Sequence, residues 1–245
     1  MTRYFASPPA SGPSEQGCAE SAAFFAPLRE ALPSHRTRAA RVGPHALSDR
    51  ELLSAILASH DETMADAGAG ALCARYENLE RLLAADLSQL AACAGPEAAL
   101  TLKLAHELAC RAAREPLFKR EVLSSWTALV AYLRVRMAGR GREIVRVLYL
   151  DKRNRLIADE ALGEGTADWA PIRPQVVIRR ALELDSTFLI VAHCHPSSDV
   201  TPSQADIAIT RELDVAAKAV GLGLHDHVIV GQGGEVVSFK QKGLL

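Results

Sequence analysis

Two hydrophobic rhythms run along the chain and divide it. From about Ala22 to Glu115 apolar positions recur at three- and four-residue spacing. Ala and Leu dominate there and β-branched residues are few, which is the pattern of packed amphipathic helices. Ser48 followed by Glu51 has the form of a capping box and predicts the start of a helix carrying Leu52, Leu53 and Ile56. Further helices are predicted over residues 70–76, 79–84, 87–92 and 97–113, with Pro116 closing the series. After a helix over 126–137 the rhythm changes. Residues 144–150 (IVRVLYL) read as a strand, and 155–162 as its pairing partner. A helix over 176–184 leads to a short, wholly apolar strand over 187–192 (TFLIVA), predicted to be buried on both faces. A helix over 202–220 follows, and residues 227–239 read as a hairpin in which VIV and VVSF flank a Gly-rich turn.

The alternation of strands and helices predicts an α/β (α+β) domain over 125–245. A helical domain over 23–115 precedes it, joined by a linker over 116–124. Residues 1–22, rich in Ser, Pro and Gly at the start, have little to bury and are expected to be a disordered tail. There are no internal repeats.

Composition narrows the setting. The first residues lack the basic start and apolar core of a secretion signal, and no apolar run is long enough to span a bilayer. The five cysteines are an odd number with no CxxC pair, which fits reduced thiols in a cytoplasmic protein better than a disulfide framework. With a net charge of −1, no global field draws the chain to nucleic acid or anionic lipid, so any DNA contact must come from a local patch. Arg36, Arg38 and Arg41 form one small basic cluster, either a phosphate contact or a solvated face.

The candidate chemistry sits in His193-Cys194-His195-Pro196 and, seven residues beyond Pro196, Ser203-Gln204-Ala205-Asp206. Histidines at i and i+2 at a strand end face one side of a sheet and can offer two imidazole nitrogens to one ion. Asp206, in the first turn of the next helix, can add an oxygen ligand. Two His and one carboxylate leave a fourth tetrahedral position open, as in catalytic zinc sites. Ser203 and Asp206 also form a capping-box pattern, with Thr201-Pro202 as an N-cap and first-turn Pro. Spacing alone leaves both readings open.

HxHP followed at that distance by SxxD resembles the motif of the JAMM (JAB/MPN+) metalloproteases. The longer run RRALELDSTFLIVAHCHPSSDVTPSQADIAITREL, with DHVIVG beyond it, resembles the RadC branch, whose bacterial members are usually named DNA repair proteins. The resemblance extends from about Leu47 to the C-terminus and is specific after Arg140. It implies a JAB/MPN-type, cytidine-deaminase-like mixed sheet flanked by helices. It also implies that His193, His195 and Asp206 bind Zn2+, and that Ser203 donates to an oxyanion. The family's upstream Glu matches Glu143 best, with Glu160, Glu164 and Asp168 as rivals. Zinc lowers the pKa of water toward ~7, and a carboxylate such as Glu143 then takes the proton. The implied reaction is hydrolysis of a peptide or isopeptide bond in an unidentified protein substrate. The alternative is a non-catalytic metal-binding module associated with DNA repair or DNA structure.

The chain departs from that family in places. It reads HCHPSS where relatives read HNHPSG, so Cys194 and Ser198 are particular to it. Cys194, between the two histidines, should point to the opposite face and be buried. Pro174-Gln175-Val176 stands where relatives carry Pro-Arg-Glu, removing a charged pair. His225-Asp226-His227 offers a second HxH, read as an Asp–His pair supporting the first site rather than as a second metal centre. Relatives also carry a helix-hairpin-helix with a GxG turn. Here only Gly95 remains and Glu97 follows it, which favours helical packing or protein contact over DNA binding.

Overall fold

The computed structural model describes residues 34–119, 122, 126–164, 172–197 and 199–245. The expected tail over 1–22, Asp168 and Ser198 lie outside them, as does the side chain of Glu164. The chain divides into two compact units, Met1–Ala69 and Gly70–Leu245.

In the first unit, α1 (Ser34–Val42) leads through a 3-10 turn at Pro44–Ala46 to α2 (Asp49–Leu57). The predicted capping box is present: Ser48 accepts from the backbone of Glu51, whose carboxylate accepts from the backbone of Ser48 at 2.8 Å. Glu51 also pairs with Arg38 at 2.5 Å, and Arg38 donates to the Ala46 carbonyl at 3.1 Å. One member of the basic cluster is thus a local brace. Helix α3 (Ala65–Arg75) starts five residues before the predicted position, in ADAGAG, where no large apolar side chain marks it.

The second unit continues with α4 (Leu79–Ala84), α5 (Leu87–Ala94), α6 (Pro96–Lys119) and α7 (Trp126–Met137). Between α5 and α6, Gly95 adopts a φ of 83°, a left-handed turn that any side chain would strain. Pro116 does not close the helical series. It lies inside α6, which runs a further turn to Lys119. Proline leaves one carbonyl without its partner, but Leu117 is 1% exposed and packs into the sheet's core, which holds the extra turn helical.

The sheet has the order β2-β1-β3-β4-β5. Its strands are β1 (Ile144–Leu150), β2 (Leu156–Glu164), β3 (Phe188–Cys194), β4 (Gly223–Val230) and β5 (Val236–Ser238). β3 and β4 are parallel and the other pairs antiparallel. Helix α8 (Pro174–Glu183) precedes β3, and α9 (Gln204–Ala219) makes the parallel crossover to β4. Strict alternation divides the core. Leu148, Leu150, Ile190, Ala192 and Cys194 face Leu129, Leu133 and Met137 of α7. Val145, Val147, Tyr149, Leu189 and Val191 face Val177 and Ala181 of α8 and Leu213 and Ala217 of α9. The chain is therefore a helical N-terminal region followed by a mixed sheet with helices on both faces. Among the described residues no helix is long and apolar enough to cross a membrane.

Candidate metal centre

His193 sits near the end of the central strand β3, flanked by Val145 of β1 and Ile229 of β4. Strand alternation puts it on the α9 face, with Leu189 and Val191, and leaves it 3% exposed. His195 follows just beyond the strand, and its backbone N–H donates to the Val230 carbonyl at 2.9 Å. Asp206 comes from the first turn of α9, whose N-cap is Ser203. Three elements thus deliver three side chains to one end of the sheet.

One ligand atom from each of His193, His195 and Asp206 lies within 4.8 Å of the others. His193 Nε2 is 2.9 Å from His195 Nε2 and 3.5 Å from Asp206 Oδ1, and His195 Nε2 is 3.8 Å from Asp206 Oδ2. Two ligands about 2.0–2.1 Å from a tetrahedral ion stand roughly 3.3 Å apart, and these separations bracket that edge. Two imidazole nitrogens and a carboxylate are also a donor set that divalent transition ions accept. The cluster can coordinate a metal.

Electrostatics match the packing. Burial pushes the His193 imidazole down to about 4, partly opposed by the Asp206 charge. His195 is raised, first by the Asp206 carboxylate beside it, against the effect of burial. For Asp206, burial acts upward, but His195, His193 and the bonds from Ser203 together hold the carboxyl well below the usual range.

The capping reading of Asp206 holds, and it leaves one carboxylate oxygen toward the histidines. Oδ2 accepts from the Ser203 backbone at 2.8 Å and from its hydroxyl at 2.6 Å, and the Asp206 N–H donates back to Ser203 Oγ at 3.0 Å. The other oxygen faces His193.

Beside the cluster is a cavity of about 300 Å³ lined by Glu143, His193, Asp206, Ile172, Ile209 and Glu212, among others. Glu143 therefore opens into the same space as His193 and Asp206. Its rival Glu160 does not: it is held by Arg180 at 2.7 Å over the outer strand β2. Glu212 is a second cavity glutamate, one that the sequence reading did not single out. The three-residue steps from Asp206 to Ile209 and from Ile209 to Glu212 along α9 are the signal that could have found it.

Cys194 is 1% exposed on the opposite face and donates to the Arg142 carbonyl at 3.3 Å, as alternation predicts. Histidines 225 and 227 part company. His225 stacks on Phe188 with centroids 4.1 Å apart and meets Asn154 Oδ1 at 2.6 Å. The ring of His227 turns inward to His193 Nδ1, 2.7 Å from its Nε2, and to Thr210 Oγ1, 2.6 Å from its Nδ1. Asp226 supports this strand through the backbone: its carboxylate accepts the His227 N–H at 2.8 Å and the Lys240 N–H at 3.0 Å.

A mixed sheet flanked by helices, with a His/His/Asp cluster at the end of its central strand, is a JAB/MPN-type domain. Residues 123–244 match the family model described as the RadC-like JAB domain. A UPF0758 protein of Rhodobacter capsulatus is 52% identical over 144 residues, which span 59% of this chain and 67% of that protein. The chain belongs to the RadC family.

Proposed function

We propose that the protein is a zinc-dependent peptidase or isopeptidase. His193, His195 and Asp206 hold the ion and Glu143 serves as general base. The observation that carries this reading is the shared cavity: Glu143 lines the same space as His193 and Asp206. Two imidazoles and one carboxylate suit zinc and leave it a free position. A zinc ion there would polarise a carbonyl and make water acidic enough to be deprotonated near neutral pH.

The remaining work belongs to the protein. The Glu143 carboxylate takes the proton of the attacking water and returns it to the leaving amine. Ser203 donates to Asp206 Oδ2 in this structure, so stabilising an oxyanion requires its hydroxyl to rotate away from that bond. Such a donor is worth about 3 kcal/mol in other hydrolases. The α5–α6 hairpin, with Glu97 in the first turn of α6, is read as a packing or protein-contact element rather than a phosphate clamp.

The test is a proteome-wide cleavage screen comparing wild type with Glu143→Ala, each checked for zinc content. New termini that appear with wild type and vanish with the variant are expected. Identical profiles from two zinc-loaded proteins would overturn the proposal.

A further inference from the structure

We infer that Thr210 and His227 set the tautomer of His193, so that its Nε2 lone pair faces the metal position before any ion arrives. The inference rests on the metal-site reading above but not on catalysis. One chain of contacts fixes where each proton lies. Thr210 Oγ1 is 2.5 Å from the backbone carbonyl oxygen of Asp206, one turn earlier in α9. Two oxygens that close need a proton between them, and a carbonyl has none. The Thr210 hydroxyl proton is therefore committed to Asp206, leaving its oxygen to accept. His227 Nδ1 lies 2.6 Å from that oxygen and must carry the hydrogen.

A neutral imidazole has one N–H, so His227 Nε2 is bare. It lies 2.7 Å from His193 Nδ1, which must in turn be protonated. Both rings are sealed, His193 3% and His227 1% exposed, which disfavours a second proton on either. What remains on His193 is a bare Nε2, 2.9 Å from His195 Nε2 and 3.5 Å from Asp206 Oδ1.

His195 is oriented by another route. Its Nδ1 is 2.8 Å from the Asp199 carbonyl, which can only accept, so Nδ1 carries a hydrogen and Nε2 is the atom turned toward His193. Phe239 stacks on His227 with centroids 4.5 Å apart, which fixes the ring plane. The circuit closes on one residue: Asp206 supplies the carbonyl that orients the relay and the carboxylate that meets its far end. Thr210 and His227 are positioning residues, acting only through His193.

Long-range 1H–15N correlation spectra of the metal-free full chain, labelled on histidine, read the tautomer of each ring directly. Nδ1–H forms of both His193 and His227 are expected in wild type. Thr210→Val removes the acceptor, so both rings should move to the Nε2–H form. Zn2+ affinity, measured by chelator competition, should fall about 10- to 100-fold. Thr210→Ser should restore both properties, which a merely structural role for the threonine would not require. An Nε2–H His193 in wild type, or an Nδ1–H His193 that persists in a folded Thr210→Val, overturns the inference. A protein that shows the expected tautomers and their loss, yet cleaves nothing, supports it and removes the peptidase reading instead.

Discussion

Ser203 and Asp206 grip each other at the start of α9: the serine hydroxyl donates to Asp206 Oδ2 at 2.6 Å, and the Asp206 N–H donates back to Ser203 Oγ at 3.0 Å. The bond caps the helix and aims the remaining carboxylate oxygen at His193. Ser203→Ala should therefore have two effects at once. Loss of an N-cap costs about 1 kcal/mol, seen as a lower urea midpoint. Zinc affinity should fall too, because Asp206 loses one of the bonds that hold its rotamer. A variant with unchanged zinc affinity would show that the backbone N–H of Ser203 suffices to orient Asp206.

Much of this was legible in the chain, for identifiable reasons. The strand IVRVLYL declares itself because apolar residues lie on both faces of a central strand. Ser48–Glu51 and Ser203–Asp206 are local, so spacing alone reveals them. The extension of α6 past Pro116 was not legible, because burial of Leu117 by the sheet, a tertiary effect, maintains it. Nor was the role of Thr210. The His227 ring reaches His193 only because β3 and β4 are parallel in a register that pairs Val191 with His227, putting His193 one step along. Nothing within either segment encodes that register.

Cys194 interrupts the HxH pair in sequence but not in space. Its thiol is buried on the α7 face, and burial pushes its pKa up, so it should be inert as a nucleophile. Brief iodoacetamide treatment of the native protein, followed by peptide mass spectrometry, should label exposed Cys73 and spare Cys194. Cys194→Ala should retain zinc binding and cost roughly 1–2 kcal/mol from the small cavity left behind. Loss of zinc from a folded Cys194→Ala would show that the thiol faces the ligands after all.

His106 on α6 gives the protein a pH dependence remote from the metal centre. The side chain is buried, and its Nε2 lies 3.4 Å from Cys110 Sγ. Burial, then the nearby charges of Lys103, Arg140 and Arg136, lower its pKa to about 4. Unfolded, the same group titrates near 6.5, so between these values the unfolded chain binds the proton that the folded chain refuses. Stability is therefore unaffected above about pH 6.5 and falls as pH drops toward about 4, by roughly 3 kcal/mol over the window. Urea midpoints followed from about pH 7 to about pH 4 should decline less for His106→Gln than for wild type. Parallel curves would mean that His106 takes up its proton as readily folded as unfolded.

The two cavity glutamates, Glu143 and Glu212, can be told apart by what each loses. Glu143 immediately precedes β1, whose Val145 pairs with His193, so the sheet itself fixes its distance from the cluster. Glu212 lies nearly two turns along α9 from Asp206 and is exposed to solvent. A general base must hold its place through the reaction, and removing one costs about 10²–10⁴-fold in rate. Once the cleavage screen has supplied a peptide substrate, Glu143→Gln should lose that much kcat with zinc still bound. Glu212→Gln should keep kcat and change KM alone, because an exposed carboxylate lining the cavity is expected to meet substrate rather than the attacking water. If Glu212→Gln carries the larger kcat loss, the base belongs to α9 and Glu143 only shapes the entrance.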